Sequence, residues 1–337
     1  MELTLQNIAQ SLSQRGHRVK IVAPIGSVCA DFPIVQISGN LQPLAQHDRR
    51  DGAIVFPANS VLANMWNHAR QVQDEFDLLL NFAYDWLPFY LTPFFQTPIA
   101  HLVSMASCTE AMDQAIDQVA RQFPGTIGVH SRAQAQTFAF GDRCRSLGNG
   151  FDLSQYQFNL HPERQLAWVG RIAPEKGLED AVAAAQRANV PLRIWGVIQD
   201  PDYWQQILAA YPDAPIRYEG FLPTEKLQQA IGSCLALLMT PKWVEAFGNV
   251  AIEALACGVP VIAYRRGGPK EIVQSGQSGW LVEPDSVTGL VQAIAQLDQI
   301  DRAECRRYAE AEYSLAAMGD RLEQWFTDIQ LRRSEPS

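Results

Sequence analysis

The feature that most restricts the fold is a regular alternation over residues 165–297. Short apolar β-type runs near 165–170, 191–195, 215–219, 234–239, 259–264 and 279–282 are separated by helical patterns near 177–188, 201–210, 223–231, 247–257, 268–275 and 285–297. Strands joined by helical crossovers are parallel, and the helices cover both faces of their sheet, so six such strands predict a complete doubly wound α/β domain. A second series precedes it, with strands expected near 18–23, 53–55, 77–81, 98–103 and 126–130. The length of 337 residues suits two domains, and 47% apolar residues are enough for two cores. The pattern divides the chain into a first domain over 1–152, a polar linker over 153–164, a second domain over 165–300 and a closing helical segment over 301–330.

Charge and cysteine usage narrow the function classes. A net charge of −9 argues against a nucleic-acid scaffold and against a polybasic membrane anchor. No apolar run approaches the length of a transmembrane helix, and Met1 begins an amphipathic segment rather than a signal peptide, so no stable membrane insertion is expected. The six cysteines form no Cys-x2-Cys pair and lack the density of a disulfide scaffold. A reduced, cytoplasmic protein is the economical expectation.

The most informative stretch is Pro241-Lys-Trp-Val-Glu-Ala-Phe-Gly-Asn-Val-Ala-Ile-Glu-Ala-Leu-Ala-Cys-Gly-Val-Pro260, in which Glu245 and Glu253 stand eight positions apart. Val250, Ile252, Ala254, Leu255 and Ala256 suit a mostly buried helix that stops at Gly258, which places Glu253 inside the helix and Glu245 just before it. At ~1.5 Å rise per residue the carboxylates can stand roughly 10 Å apart, with the N–H groups of Phe247, Gly248, Asn249 and Val250 between them. Those amides and the positive end of the helix dipole suit an anion. A pyrophosphate flanked by two polyhydroxylated rings fits the layout, because each carboxylate can accept paired hydrogen bonds from a vicinal diol. Cations for the phosphates stand upstream, where the strand Gln165-Leu-Ala-Trp-Val-Gly170 runs into Arg171-Ile-Ala-Pro-Glu-Lys-Gly177, and Arg171 and Lys176 would neutralise the leaving diphosphate. Glu-x7-Glu alone arises by chance, and Lys-Gly after a strand is ordinary turn chemistry. Their order and spacing carry the signal.

Together these motifs resemble the donor site of family-4 retaining glycosyltransferases, whose signatures are Gly-Arg-x4-Lys-Gly and Glu-x7-Glu followed by Ala-Cys-Gly-x-Pro-Val; Gly267-Gly268 and Ser278-Gly-Trp-Leu-Val282 follow as in the family. The resemblance implies the GT-B fold, with two Rossmann-like domains, a cleft between them, and a C-terminal helix packing back on the first domain. It implies a UDP-sugar donor, with glucose favoured, and transfer with retention. The assignments that follow are Arg171, Lys176 and Glu245 as catalytic residues, and Phe247, Gly248, Asn249, Val250 and Glu253 as donor-binding residues. Within the family the chain is similar to the UDP-glucose:tetrahydrobiopterin glucosyltransferase type. A lipid- or sugar-directed transferase of the same fold and a non-catalytic nucleotide-sugar-binding protein are the alternatives.

The chain departs from the family pattern at its start. Residues 2–14 resemble the first helix and Gly16-His-Arg-Val-Lys-Ile-Val-Ala-Pro24 the second strand, so the usual first strand and its Gly-rich loop are missing, and the natural start is expected upstream of Met1. On the acceptor side, many members carry a His where Pro98-Ile-Ala-His-Leu-Val-Ser-Met105 has Ser104, and His101 stands three positions earlier. His101 reads either as a base or sugar ligand or, more simply, as a satisfied strand histidine. In Asn81-Phe-Ala-Tyr-Asp-Trp-Leu-Pro-Phe-Tyr90, Asp85 could accept a proton from a hydroxyl and Tyr84 and Trp86 could stack on a planar ring, or the aromatics could only pack the next helix. Asp200-Pro-Asp202 matches a metal-binding Asp-x-Asp superficially, but an Asp followed by Pro is an ordinary helix opening. With Arg171, Lys176 and a helix N-terminus available, no metal and no cofactor is expected, only the UDP-sugar and a small-molecule acceptor.

Overall fold

The computed structural model describes residues 2–29, 31–42 and 50–334. Two compact units emerge, Met1–Phe151 together with Leu315–Ser337, and Asp152–Ser314.

In the first unit, α1 (Glu2–Gln14) leads to a parallel pair, β1 (Ile21–Pro24) and β2 (Ile34–Ile37), and then to α2 (Val61–Val72). A separate four-stranded parallel sheet follows, ordered β3 (Leu79–Asn81), β4 (Ile99–Val103), β5 (Ile127–Val129) and β6 (Arg145–Ser146). Its connections carry α3 (Trp86–Leu91), α4 (Glu110–Gln122) and the short α5 (Arg132–Ala135). All five residues of β4 are buried, as expected of a strand covered on both faces. The two-residue period divides them: Val103 joins Phe89, Ile116 and Ile127 on one side, while Ala100 and Leu102 join Ile8, Leu12, Leu322 and Trp325 on the other.

One expectation fails in this unit. Residues 53–55 form no strand; Val55 is exposed, and the segment has no ladder partner. Instead Ile34–Ile37 pairs with β1, a four-residue run too short to stand out by alternation.

The second unit matches its predicted elements closely. Its strands are β7 (Leu166–Val169), β8 (Leu192–Trp195), β9 (Ile216–Gly220), β10 (Ala236–Met239), β11 (Val261–Tyr264) and β12 (Gly279–Val282). Its helices are α6 (Leu178–Ala188), α7 (Pro201–Ala210), α8 (Thr224–Gly232), α9 (Asn249–Ala256), α10 (Pro269–Ile272) and α11 (Val287–Ile294). The sheet order is β12-β11-β10-β7-β8-β9, all parallel. The chain therefore starts in the middle at β7, winds outward to β9, returns beside β7 as β10 and winds out the other way. The connections after β7 and β10 leave in opposite directions, and the crevice that a doubly wound sheet offers a ligand opens at their carboxyl ends.

The helical pattern expected as one segment over 301–330 is two helices. α12 (Arg302–Tyr313) belongs to the second unit and α13 (Leu315–Ser334) to the first, and Ser314 between them has an extended backbone (φ −70°, ψ 163°). Apolar periodicity runs through this position because the break needs a single non-helical residue. Within the first unit α13 packs on α1, where Ser11 Oγ donates to the Leu315 carbonyl at 2.7 Å and Arg15 pairs with Glu323 at 2.6 Å. Trp325 Nε1 also donates to the Gly125 carbonyl at 2.6 Å. No helix among the described residues is long and apolar enough to cross a membrane.

Candidate functional site

The two sequence motifs meet at the carboxyl ends of β7 and β10. After β7 the chain makes a 3-10 turn over Pro174–Lys176 and enters α6 through Gly177, whose left-handed backbone (φ 63°) presses against the β10 side. A Cβ at Gly177 would stand 2.1 Å from the Thr240 carbonyl oxygen, so only glycine permits this approach. Thr240 Oγ1 donates to the Gly177 carbonyl at 2.7 Å, and Lys242 N–H donates to the Glu175 carbonyl at 2.9 Å.

This backbone clamp brings Lys176 Nζ within 2.5 Å of Glu245 Oε2, with both side chains about four-fifths buried (20% and 19% exposed). Trp243 completes the cluster: its Nε1–H donates to Glu245 Oε2 at 3.1 Å, and Lys176 Nζ lies 5.1 Å from its ring centroid. Glu245 is fixed through its backbone too, because Gly268 N–H donates to the Glu245 carbonyl at 2.7 Å. α9 then begins at Asn249, following Gly248 in a left-handed conformation (φ 106°). Glu253, within α9, is half-buried, and desolvation holds its carboxyl above the usual carboxylate range; a hydrogen bond from Tyr156 OH at 3.2 Å opposes the shift.

Arg171 pairs with Glu175 at 3.3 Å and donates to Gln199. A further network braces the loops: Lys242 binds Asp180 and, at 3.1 Å, Asp285, while Arg266 binds Asp285 at 2.7 Å and Tyr264 OH donates to Asp180 at 2.6 Å. The site thus places a lysine, two carboxylates and a helix start at the switch point of the sheet, the arrangement expected to hold an anion between two hydroxyl-bearing groups.

The sequence reading missed Trp243 and Tyr156. Trp243 lies inside the motif run, two positions before Glu245, where an indole N–H so near a carboxylate is a readable signal. Tyr156 sits in the segment read as a linker, and nothing local connects it to Glu253, 97 residues away. Asp200 is the N-cap of α7, its side chain accepting from Tyr203 N–H with Pro201 in the first turn, as expected.

The acceptor-side candidates, all in the first unit, fare differently. His101 is fully buried on β4, stacked on Phe89 with ring centroids 4.4 Å apart. Asn81 Nδ2 donates to its Nδ1 at 3.1 Å, and its Nε2 stands 2.9 Å from Thr92 Oγ1. Thr92 Oγ1 itself donates to the Pro88 carbonyl, which makes it the acceptor from His101 Nε2–H and fixes the tautomer. The catalytic reading of His101 is therefore corrected: both ring nitrogens are used, and burial lowers its pKa to about 3.

Asp85 serves as a helix cap. Its Oδ1 accepts from Leu87 N–H at 3.0 Å and its Oδ2 from Gln42 Nε2 at 2.9 Å. Trp86 stacks on Tyr90 with centroids 4.4 Å apart and meets Phe56 edge-on, so it packs its own helix, while Tyr90 remains half exposed (51%). Ser104 follows the carboxyl end of β4, and its Oγ is buried with no hydrogen-bond partner among the described residues. It is an acceptor-side candidate with unused hydrogen-bonding capacity.

The neutral, buried His101 has a consequence for stability. An unfolded imidazole takes a proton below pH 6.5, whereas the folded one resists protonation down to about 3. The stability is therefore whole above the unfolded value and is lost as pH falls across that window, at up to about 1.4 kcal/mol per pH unit. His130, whose pKa burial also lowers, adds a slope of the same sign. Urea unfolding between about pH 7 and 4 is expected to show a shallower acid slope in His101→Gln than in the wild type. Equal slopes would show that His101 is protonated in the folded state.

Comparison with known proteins places these features. The glycosyl transferases group 1 family matches residues 154–313. The 2-deoxystreptamine N-acetyl-D-glucosaminyltransferase of Streptomyces fradiae is 32% identical over 178 residues, covering 50% of this chain and 41% of that protein. The D-inositol 3-phosphate glycosyltransferase of Mycolicibacterium smegmatis is 31% identical over 210 residues, covering 58% and 45%. The chain thus spans less than half the length of these curated relatives. Among solved structures, Anabaena HepE in complex with UDP superposes with a TM-score of 0.76 at 18% identity, covering 97% of this chain and 96% of that one. AviGT4, a glycosyltransferase involved in avilamycin A biosynthesis, superposes with a TM-score of 0.72 at 19% identity, covering 96% and 88%. These likenesses show the fold, α/β with two parallel-sheet units of the GT-B kind. Residues 154–313, which hold Lys176, Glu245 and Glu253, match the glycosyl transferases group 1 family.

Proposed function

We infer that the chain is a cytoplasmic, metal-independent retaining hexosyltransferase that moves glucose from UDP-glucose to a small hydroxylated acceptor of the tetrahydrobiopterin class. The observation that carries the reading is the Lys176–Glu245 pair at the β7–β10 switch point, with Glu253 in the helix that follows. In this reading Lys176 and Arg171 face the leaving diphosphate, the start of α9 adds its amides, Glu245 holds the transferred sugar and Glu253 the ribose. Charge builds on the diphosphate as the anomeric bond breaks, so stabilisation of that charge is the main catalytic effect. The acceptor attacks on the face the diphosphate leaves. HepE has been solved in complexes with UDP-glucose and with UDP and glucose, which supports the choice of donor. The half-exposed Tyr90 beside Trp86 supports an acceptor with a planar ring, and six free cysteines support a reducing compartment.

The test is to incubate the protein with UDP-glucose and tetrahydrobiopterin, identify products by mass, and read the anomeric configuration by NMR. A hexose-mass adduct with the donor's α configuration is expected, at a rate unchanged in EDTA. An inverted product overturns retention, and activity lost in EDTA but restored by Mg²⁺ or Mn²⁺ overturns metal independence. UDP-glucose bound with no product from any hydroxylated acceptor overturns transfer.

A further inference from the structure

We propose that Tyr156 is a positioning residue for Glu253, its hydroxyl holding the carboxylate in the orientation that receives the nucleotide ribose. The proposal rests on the donor-site reading above and extends it to a residue outside both sequence motifs.

Tyr156 is buried (6% exposed), and its OH donates to Glu253 Oε1 at 3.2 Å, which leaves Oε2 for a ligand hydroxyl. No cation pairs with the Glu253 carboxylate among the described residues, so the phenol must do the work of keeping it ionised and aimed. A buried carboxylate without such a donor takes up a proton or rotates away. The phenol is itself held from the backbone side. Arg306 donates to the Tyr156 carbonyl at 2.9 Å, to the Leu153 carbonyl at 3.1 Å and to the Ala256 carbonyl at 2.5 Å. Ala256 closes α9, the helix that carries Glu253, so one guanidinium ties the Tyr156 backbone to that helix. Arg306 is in turn paired with Glu310 at 2.6 Å. The separation between phenol and carboxylate is thereby set by covalent structure and three hydrogen bonds, not by side-chain packing alone.

The test is Tyr156→Phe, which removes the hydroxyl and keeps the ring. Titration with UDP is expected to show affinity about tenfold weaker, the loss typical of a hydrogen bond to a charged group, with the donor KM raised and kcat nearly unchanged. The acid limb of UDP affinity should also move to higher pH, because the lost bond favoured the ionised carboxyl. A merely structural phenol would lower the melting temperature without moving that limb. In a Glu253→Gln background the Tyr156→Phe change is expected to have no further effect on affinity, whereas equal losses in both backgrounds overturn the proposal. Wild-type protein that binds UDP, with a Phe variant that binds as tightly, overturns the role of Tyr156 alone. Wild-type protein that binds neither UDP nor GDP or ADP overturns the donor-site reading and this role with it.

Discussion

Lys176→Ala is expected to lower kcat by about a hundredfold to a thousandfold while leaving the fold intact, the loss seen when one pre-placed donor to a developing negative charge is removed. The ammonium is held at 2.5 Å from Glu245 and against the Trp243 ring, so it is positioned before any ligand arrives and needs little rearrangement on reaction. Its partner loses less. Glu245→Ala frees Lys176 to move but leaves its charge, so sugar binding and turnover should both fall, by about tenfold to a hundredfold. Lys176→Arg tests geometry, because a planar fork cannot replace a compact ammonium in a site four-fifths buried. Steady-state kinetics with UDP-glucose, separated into kcat and KM, read all three changes. A Lys176→Ala enzyme with wild-type kcat would remove the leaving-group role and leave the lysine as a structural partner of Glu245.

How far the sequence could be read depended on whether the determining signal was local. The second unit was legible because each of its strands is a short apolar run beside a helix with its own start and stop, as with α7 behind its Asp200 cap. The Lys176 and Glu245 motifs were legible because they lie at the two chain segments that a doubly wound sheet must bring together at its switch point. The first unit was read less well. Ile34–Ile37 becomes a strand by pairing with β1, a tertiary event that four residues cannot announce, while the apolar run at 54–56 stays exposed.

The acceptor side shows the same limit at the level of single residues. His101 and Asp85 have the chemistry of catalytic groups, and their types alone could not separate a base from a buried strand histidine or a proton acceptor from a cap. Their hydrogen-bond partners show what each does in the fold: Asn81 and Thr92 saturate the histidine, and Leu87 N–H and Gln42 Nε2–H donate to the aspartate as a cap. Tyr156 was invisible for the opposite reason, since a tyrosine in a polar stretch gives no hint of a carboxylate 97 residues on.

Gly267 and Gly268 were noted as part of a family pattern, and the structure supplies their reason. Gly268 has an ordinary helical backbone (φ −58°, ψ −37°), so alanine there meets no conformational strain. By loss of unfolded-state freedom alone, Gly268→Ala would stabilise the protein by about 0.4–1 kcal/mol. The contact reverses the sign. A Cβ at this position would stand 2.2 Å from the Phe247 carbonyl oxygen and 2.4 Å from its Cα, backbone atoms that cannot swing aside as a side chain could. Relief requires the 245–247 segment to move off the 267–268 turn, which breaks the 2.7 Å hydrogen bond from Gly268 N–H to the Glu245 carbonyl and carries Glu245 away from Lys176. Gly268→Ala is therefore expected to cost about 1–3 kcal/mol in urea unfolding and, because the loop carries the carboxylate proposed to hold the transferred sugar, at least about tenfold in kcat/KM. Gly276→Ala is the control. Its left-handed backbone (φ 83°) predicts a strain cost of about 1–2 kcal/mol, yet its Cβ would meet only a Trp280 ring atom at 3.9 Å, so kinetics should be unaffected. If Gly268→Ala instead gains stability and retains full activity, the two loops separate freely, and the placement of Glu245 must come from its side-chain partners Lys176 and Trp243 alone.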